Sequence, residues 1–208
     1  MRQIMKQMAW YFDASSCIGC KTCEMACKDT HDLPVGVRLR MVREYGGGHW
    51  VVQDGFELPV GIFTYYVSTS CMHCEEPPCV DVCPAAAMVK REEDGIVFVD
   101  AEKCIGCGYC QWACPYGAPQ LNPTTGVMQK CDMCKDLQDA GEPPACVGNC
   151  PMRCLDYGEL EELRAKYGDV DSIMPLPSGE ITRPAFVVTP PKSPHQGAGG
   201  RIRDVMEA

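Results

Sequence analysis

No stretch of these 208 residues approaches the roughly 18 consecutive apolar positions of a membrane-spanning helix, so the chain is not expected to cross a bilayer itself. Basic residues are the minority, 19 Lys and Arg against 28 Asp and Glu, for a formal net charge of −9. A nucleic-acid partner, which needs a basic stripe to meet its phosphates, is excluded on that balance. Histidine is sparse, and His31, His49, His73 and His195 are scattered rather than grouped. The sequence also lacks a glycine-rich nucleotide loop and any Ser/His/Asp arrangement, and no residue is assigned acid–base or nucleophilic work. Met1 to Trp10 contains neither an apolar signal core nor a twin-arginine pair, so the chain is expected neither to export nor to anchor itself. Met5 and Met8 are alternative starts, because strand-like sequence begins only at Ala9.

Cysteine is abundant instead. Sixteen of the 17 cysteines form four groups of four. Cys17, Cys20, Cys23 and Cys27 are spaced C-x2-C-x2-C-x3-C, and Cys104, Cys107, Cys110 and Cys114 repeat that spacing. Cys71, Cys74, Cys79 and Cys83 stretch the middle gap to four residues, and Cys131, Cys134, Cys146 and Cys150 stretch it to eleven. Runs of this kind hold cubane iron–sulfur clusters, with the fourth cysteine serving a neighbouring cluster. At four thiolates per cubane the chain is expected to carry four [4Fe–4S] clusters, which implies electron transfer. Gly19 and Gly106 let the backbone approach a cluster and take positive φ. Pro84, Pro115 and Pro151 follow the last cysteine of three groups and fix the turn, whereas group one has Lys28 there. The last cysteine of each run is expected at the start of a short helix.

Rival uses of cysteine fit less well. A disulfide framework is characteristic of secreted chains under about 100 residues, and does not explain repeated tetrads. Structural zinc could claim Cys131, Cys134, Cys146 and Cys150 as one knuckle, but not the triple runs. A thioredoxin-like CxxC would be single. Because the cysteines inflate the 46% hydrophobic share, the aliphatic core is small, and the metal-free chain is expected to fold poorly. Four oxidised cubanes would bring the total charge to about −17.

Along the chain, AWYFDA at 9–14 reads as a strand and 23–30 as a short helix. Residues 37–70 read as strands, VRLRMVREY and HWVVQ separated by a GGG turn, then IFTYYVSTS after a DG turn. Hairpins are expected across Glu93-Asp94-Gly95 and across 122–126. ELEELRAKY at 159–167 reads as a helix stopped by Gly168. From Pro175 to Ala208 the chain is rich in Pro and Gly, and is read as an extended arm on a partner, with one strand at 185–189.

CIGCKTCEMACKD from Cys17, CMHCEEPPCVDVCPAAAM from Cys71, CIGCGYCQWACPYGAPQ from Cys104, and KCDMCKD with CVGNCPMRCLDYGELEEL from Lys130 together resemble a known family. They are similar to the iron–sulfur electron-transfer subunit of dimethyl sulfoxide reductase-type molybdopterin oxidoreductases, over about residues 9–190. The resemblance implies an α+β fold of two back-to-back bacterial 2[4Fe–4S] ferredoxin-like domains. One is formed by 9–30 with 127–170 and the other by 71–126, with a β-rich insertion at 37–70 and the arm at 175–208. It implies a non-catalytic subunit of an anaerobic respiratory complex, placed between a molybdopterin catalytic subunit and a quinol-oxidising membrane anchor. The implied location is peripheral to the cytoplasmic membrane, on the outer face by co-export with the catalytic subunit, with the cytoplasmic face as the alternative. The substrate is set by a pocket on another chain.

The resemblance also implies a pairing of the first tetrad with the fourth and of the second with the third. Carried over, Cys17, Cys20, Cys23 and Cys150 hold one cluster, and Cys131, Cys134, Cys146 and Cys27 the next. Cys71, Cys74, Cys79 and Cys114 hold a third, and Cys104, Cys107, Cys110 and Cys83 the fourth. The nitrate reductase branch has tryptophan at the position of Cys107 and a three-iron cluster; with cysteine here, four cubanes are expected. Cys154 departs from the family's usual small residue, and reads as a buried thiol beside a cluster, or alternatively as a substitute ligand or redox thiol. His73 reads as an ordinary loop histidine or a tuner of the second tetrad. Lys21, Lys28, Lys130 and Lys135 either raise the potentials of the first and fourth groups or pair with Glu24, Asp29 and Asp132. The competing functions are a free-standing soluble polyferredoxin and a redox sensor; the long 37–70 segment and the arm argue against the first, and four serial clusters against the second.

Overall fold

The computed structural model describes residues 6–192 and 199–204; the alternative start Met5, His195 and residues 205–208 of the expected arm lie outside the described residues. Strand β1 (Met8–Asp13) leads into the first tetrad and helix α1 (Thr22–Thr30). Two long strands follow, β2 (Arg40–Gln53) and β3 (Phe56–Ser70). Helix α2 (Pro78–Asp81) lies within the second tetrad, before a hairpin of β4 (Met88–Lys90) and β5 (Val97–Val99). Helix α3 (Tyr109–Ala113) lies within the third tetrad, before a hairpin of β6 (Gln120–Leu121) and β7 (Met128–Gln129). Helices α4 (Lys135–Asp139) and α5 (Ala145–Gly148) belong to the fourth tetrad. Strand β8 (Leu155–Glu159), helix α6 (Leu160–Tyr167), and strands β9 (Phe186–Thr189) and β10 (Arg201–Arg203) complete an α+β chain with few and short helices. Among the described residues no helix is long and apolar enough to cross a membrane.

Strand β1 is buried on both faces, because apolar side chains occupy every position from Ala9 to Phe12. It lies between β8, antiparallel, and β9, parallel. Ala9 and Tyr11 pack with Leu160 and Leu163 of α6, and the Tyr11 and Tyr167 rings stack with centroids 3.5 Å apart. Trp10 and Phe12, on the other face, enter the core that contains most of the buried cysteines. The period of two along β1 therefore sends one face to a helix and the other to sulfur.

The expected reversal at Gly46–Gly48 does not occur. Strand β2 runs through it with a register shift between Gly47 and His49, and turns back only at Asp54-Gly55. The glycines serve a close approach instead: Gly48 has φ +97, and a Cβ there would lie 2.6 Å from the Gly61 carbonyl oxygen. A second difference concerns 175–208, expected to lie on a partner. Strand β9 is buried in this chain's own central sheet, and β10 pairs with β2 at 44–46. The two short hairpins, α6 with its stop at Gly168, and the strands at 8–13 and 186–189 fall where the sequence pattern places them.

Phe12 is fully buried, so Phe12→Ala is expected to cost about 3–5 kcal/mol of stability. Val52→Ala on the exposed ribbon should change stability by no more than about 0.5 kcal/mol. Anaerobic thermal unfolding of the iron-loaded chain checks the contrast.

Candidate iron–sulfur centres

In each tetrad the third cysteine lies in a short helix and the fourth falls four residues on, one helical turn away. Cys23 and Cys27 both lie in α1, on one buried face. Cys79 lies in α2, Cys110 in α3 and Cys146 in α5, with Cys83, Cys114 and Cys150 just beyond the helix ends. The helix therefore begins before the fourth cysteine rather than at it; in the second, third and fourth tetrads that cysteine lies just past its end, and in the first Cys27 lies within it. The loops ahead of α1 and α3 depend on Gly19 at φ +69 and Gly106 at φ +68. A Cβ at Gly19 would collide with the Tyr66 ring, and one at Gly106 with the Gly126 carbonyl.

Tertiary packing brings distant tetrads together: α1 packs against α5, and α2 against α3. Cys17, Cys20, Cys23 and Cys150 line one cavity, and Cys71, Cys74, Cys79 and Cys114 line another. Cys83, Cys104, Cys107 and Cys110 line a third. Each of the three combines three cysteines of one tetrad with one of another, a shared pattern that points to one kind of occupant. The remaining four cysteines, Cys27, Cys131, Cys134 and Cys146, are all buried. They also act on one another: burial, with Cys146 and Cys134 adding to it, raises the Cys27 thiol, and burial, with Cys27, Cys71 and Cys146 adding to it, raises that of Cys131.

These surroundings fit a [4Fe–4S] cube. The walls of the cavities are otherwise mainly proline and aliphatic, as at Pro77, Pro78, Pro115 and Pro119, or Ile18, Val42 and Leu155. Backbone N–H groups already face sulfur. Those of His73, Ala87, Met128 and Met133 donate to Cys71, Cys83, Cys104 and Cys131 Sγ at 3.5, 3.2, 3.4 and 3.4 Å. Such donors stabilise added negative charge on a cluster and raise its potential. Only Cys20 and Cys107 of the seventeen are exposed, and they line different cavities.

Cys154 is buried and lines the cavity of Cys17, Cys20, Cys23 and Cys150, with its Sγ 3.4 Å from Cys150 Sγ. Its thiol also faces Cys17: the Cys17 group is held down to about 7 by hydrogen bonding from Cys154, whose own proton is correspondingly tightly held. The cavity thus has five cysteines, not four.

Lys21 lines the first-tetrad cavity as expected, while other lysines and His73 are placed differently. Lys130 is buried beside the second-tetrad cavity, and its Nζ donates to the carbonyls of Val97 and of Cys131 in the fourth tetrad. Lys21 pairs with Asp204 at 3.3 Å, Lys135 with Asp136, and Lys28 donates to the carbonyls of Leu33 and Pro34 at 2.6 and 3.0 Å. Glu24 instead holds Arg38 and the Val42 N–H. His73 is fully buried rather than a loop histidine in water. Its Nδ1 accepts from the Val97 N–H at 3.0 Å, and burial, reinforced by Lys130, Arg40 and Lys90, keeps it neutral. His31, which sequence reading passed over, has Nε2 3.5 Å from Cys134 Sγ. Nothing local in the sequence signals that contact across 103 positions.

The thiol chemistry and the folding of paired tetrads define an iron–sulfur protein of the ferredoxin type. Residues 62–160 match the 4Fe-4S dicluster domain, and residues 14–36 the 4Fe-4S binding domain. The protein is 51% identical over 184 residues to one of the chains of anaerobic dimethyl sulfoxide reductase from Escherichia coli (strain K12), covering 88% of this chain and 89% of the relative. It is 40% identical over 168 residues to the thiosulfate reductase electron transfer subunit of Salmonella typhi, covering 78% and 81%. To one of the chains of polysulfide reductase from Wolinella succinogenes it is 38% identical over 192 residues, covering 90% and 96%. The protein belongs to the family of iron–sulfur subunits found in anaerobic dimethyl sulfoxide reductase and related enzymes, and is an electron-transfer subunit of a reductase complex.

Burial pushes the thiols of Cys27 and Cys79 up to about 12, and those of Cys74, Cys110 and Cys134 up to about 11. At pH 7 the metal-free chain keeps these protons, and a metal must displace them. Raised thiol values mean that acid opposes loading, so the yield of anaerobic iron–sulfide reconstitution should rise from pH 7 to pH 9, with protons released. A pH-independent yield would contradict this reading.

Proposed function

We propose that this subunit holds four [4Fe–4S] clusters and relays electrons between a quinol-oxidising membrane anchor and a molybdopterin catalytic subunit in anaerobic respiration. The observation that carries the reading is the interleaving: three cavities, each lined by three cysteines of one tetrad and one of another. On this reading Cys17, Cys20, Cys23 and Cys150 are the first ligand set, and Cys27, Cys131, Cys134 and Cys146 the second. Cys71, Cys74, Cys79 and Cys114 are the third, and Cys83, Cys104, Cys107 and Cys110 the fourth. Zinc in the fourth tetrad is disfavoured by the same interleaving, since Cys150 lines a cavity with Cys17 rather than closing a knuckle with Cys146.

A bound cube supplies one-electron transfer with little movement of its atoms. The chain's residues hold the sulfurs, exclude water with proline and aliphatic walls, and set potentials through the N–H donors named above. Two back-to-back ferredoxin-like units follow, 9–30 with 127–170 and 71–126, a division supported by the α1–α5 and α2–α3 packing. The 37–70 ribbon is the insertion. Exposed Cys20 and Cys107 belong to different sets, which suits entry of electrons at one site and exit at another. The relatives are named as single chains of reductases, which supports a catalytic partner. The complex is placed on the outer face of the cytoplasmic membrane, carried there with the catalytic subunit.

Metal analysis of the anaerobically isolated native complex tests this. About sixteen iron atoms per copy of this chain, beyond those of its partners, with about one molybdenum or tungsten, are expected. The same iron without molybdenum or tungsten, in a particle near 22.9 kDa, would indicate a free polyferredoxin instead. About twelve iron atoms with stoichiometric zinc would remove one site.

A further inference from the structure

Arg40 opens β2 and is only 2% exposed, yet no carboxylate meets it among the described residues. The contrast with other arginines is plain: Arg38 holds Glu24 and Asp204, Arg91 holds Asp94 and Asp139, and Arg183 holds Glu75 and Glu76. The Arg40 head lies over the Trp10 ring, 4.7 Å from its centroid. One Nη donates to Ser68 Oγ at 3.2 Å and the other to Ser70 Oγ at 3.1 Å, while Nε has no acceptor among the described residues. Two hydroxyls and a ring do not neutralise a buried cation, and an uncompensated buried charge is strongly unfavourable.

The negative groups that act on Arg40 are sulfurs. Burial alone would lower its proton affinity, but Cys146, Cys131, Cys23 and Cys27 raise it above the ordinary arginine value. Those four are divided between two sites: Cys23 lines the first cavity, and the other three form the buried group beside it. Ser68 makes the link material, since its Oγ accepts from Arg40 and lies 3.5 Å from Cys23 Sγ. Arginine suits the position because its guanidinium stays charged when buried.

We propose that Arg40 is the shared internal counter-ion of the first and second iron–sulfur sites, and that its charge raises the reduction potential of both. The inference rests on the four-cluster reading above. Reduction adds negative charge at these sites, and a fixed cation in a poorly screened interior favours the reduced form. The four sulfurs that act most on Arg40 all belong to the first and second ligand sets, so the effect is largest there and weaker at the third and fourth.

The test is an EPR-monitored redox titration of the anaerobically isolated complex, with iron counted in each preparation. Arg40→Met should lower the reduction equilibrium constants at the first and second sites at least tenfold, 59 mV for one electron, and move the other two less. Arg40→Lys, held protonated by the same sulfurs, should retain potentials near those of the unsubstituted chain. If Arg40→Met loses iron from those two sites and Arg40→Lys keeps it, the charge is again shown to be required. A fully loaded Arg40→Met with unchanged potentials, an equal shift at all four sites, or equal loss of iron in both variants would overturn the proposal. The iron count of the unsubstituted complex separates failure of the four-cluster reading from failure of this one.

Discussion

A tight loop can wrap three thiols around one site but must send its fourth elsewhere, and most of this structure follows from where that fourth sulfur goes. The third and fourth cysteines of each tetrad are one helical turn apart, so a short helix carries the chain from one site to its neighbour. Those helices then have to pack in pairs, α1 with α5 and α2 with α3. The first and last tetrads are thereby joined, and β1 and β8, which flank them in sequence, pair in one sheet. Strand β9 completes that sheet from the far end of the chain.

Charge is the second consequence. Burial makes the thiols poor acids, with Cys27 and Cys79 up to about 12, so the interior needs either protons or compensating cations. Two buried cations serve it, Arg40 beside the first and second ligand sets and Lys130 beside the third. His73 lies fully buried near both and is kept neutral, so it adds no third charge there. Trp10 joins sheet to site: its ring carries Arg40 on the same strand whose next inward residue, Phe12, lines the first cavity.

The tetrads, their glycines and their family were legible in the sequence, because ligand spacing is local and each tetrad is read within a single short stretch of chain. The short hairpins and α6 were legible for the same reason: turn residues and the Gly168 stop act on their neighbours. What failed was tertiary. Gly46–Gly48 has the composition of a turn, yet there the glycines answer to Gly61, Ile62 and Phe63 on the facing strand. Lys130 is adjacent to Cys131 in sequence but buried beside the second tetrad. The Pro- and Gly-rich tail looked unpartnered because its partner strands, β1 and β2, begin more than 150 residues earlier. Arg40 carried no signal, since an arginine between two apolar residues reads as half of a surface strand until its neighbours are seen to be sulfur.

The interleaving of distant tetrads is tested most directly by comparing three single substitutions in the reduced native complex by EPR: Cys17→Ser, Cys150→Ser and Cys146→Ser. Shared cavities require Cys150→Ser to alter the same cluster signal as Cys17→Ser, while Cys146→Ser alters a different one. If Cys150→Ser instead matches Cys146→Ser, each tetrad serves its own site, and the interleaved arrangement is wrong.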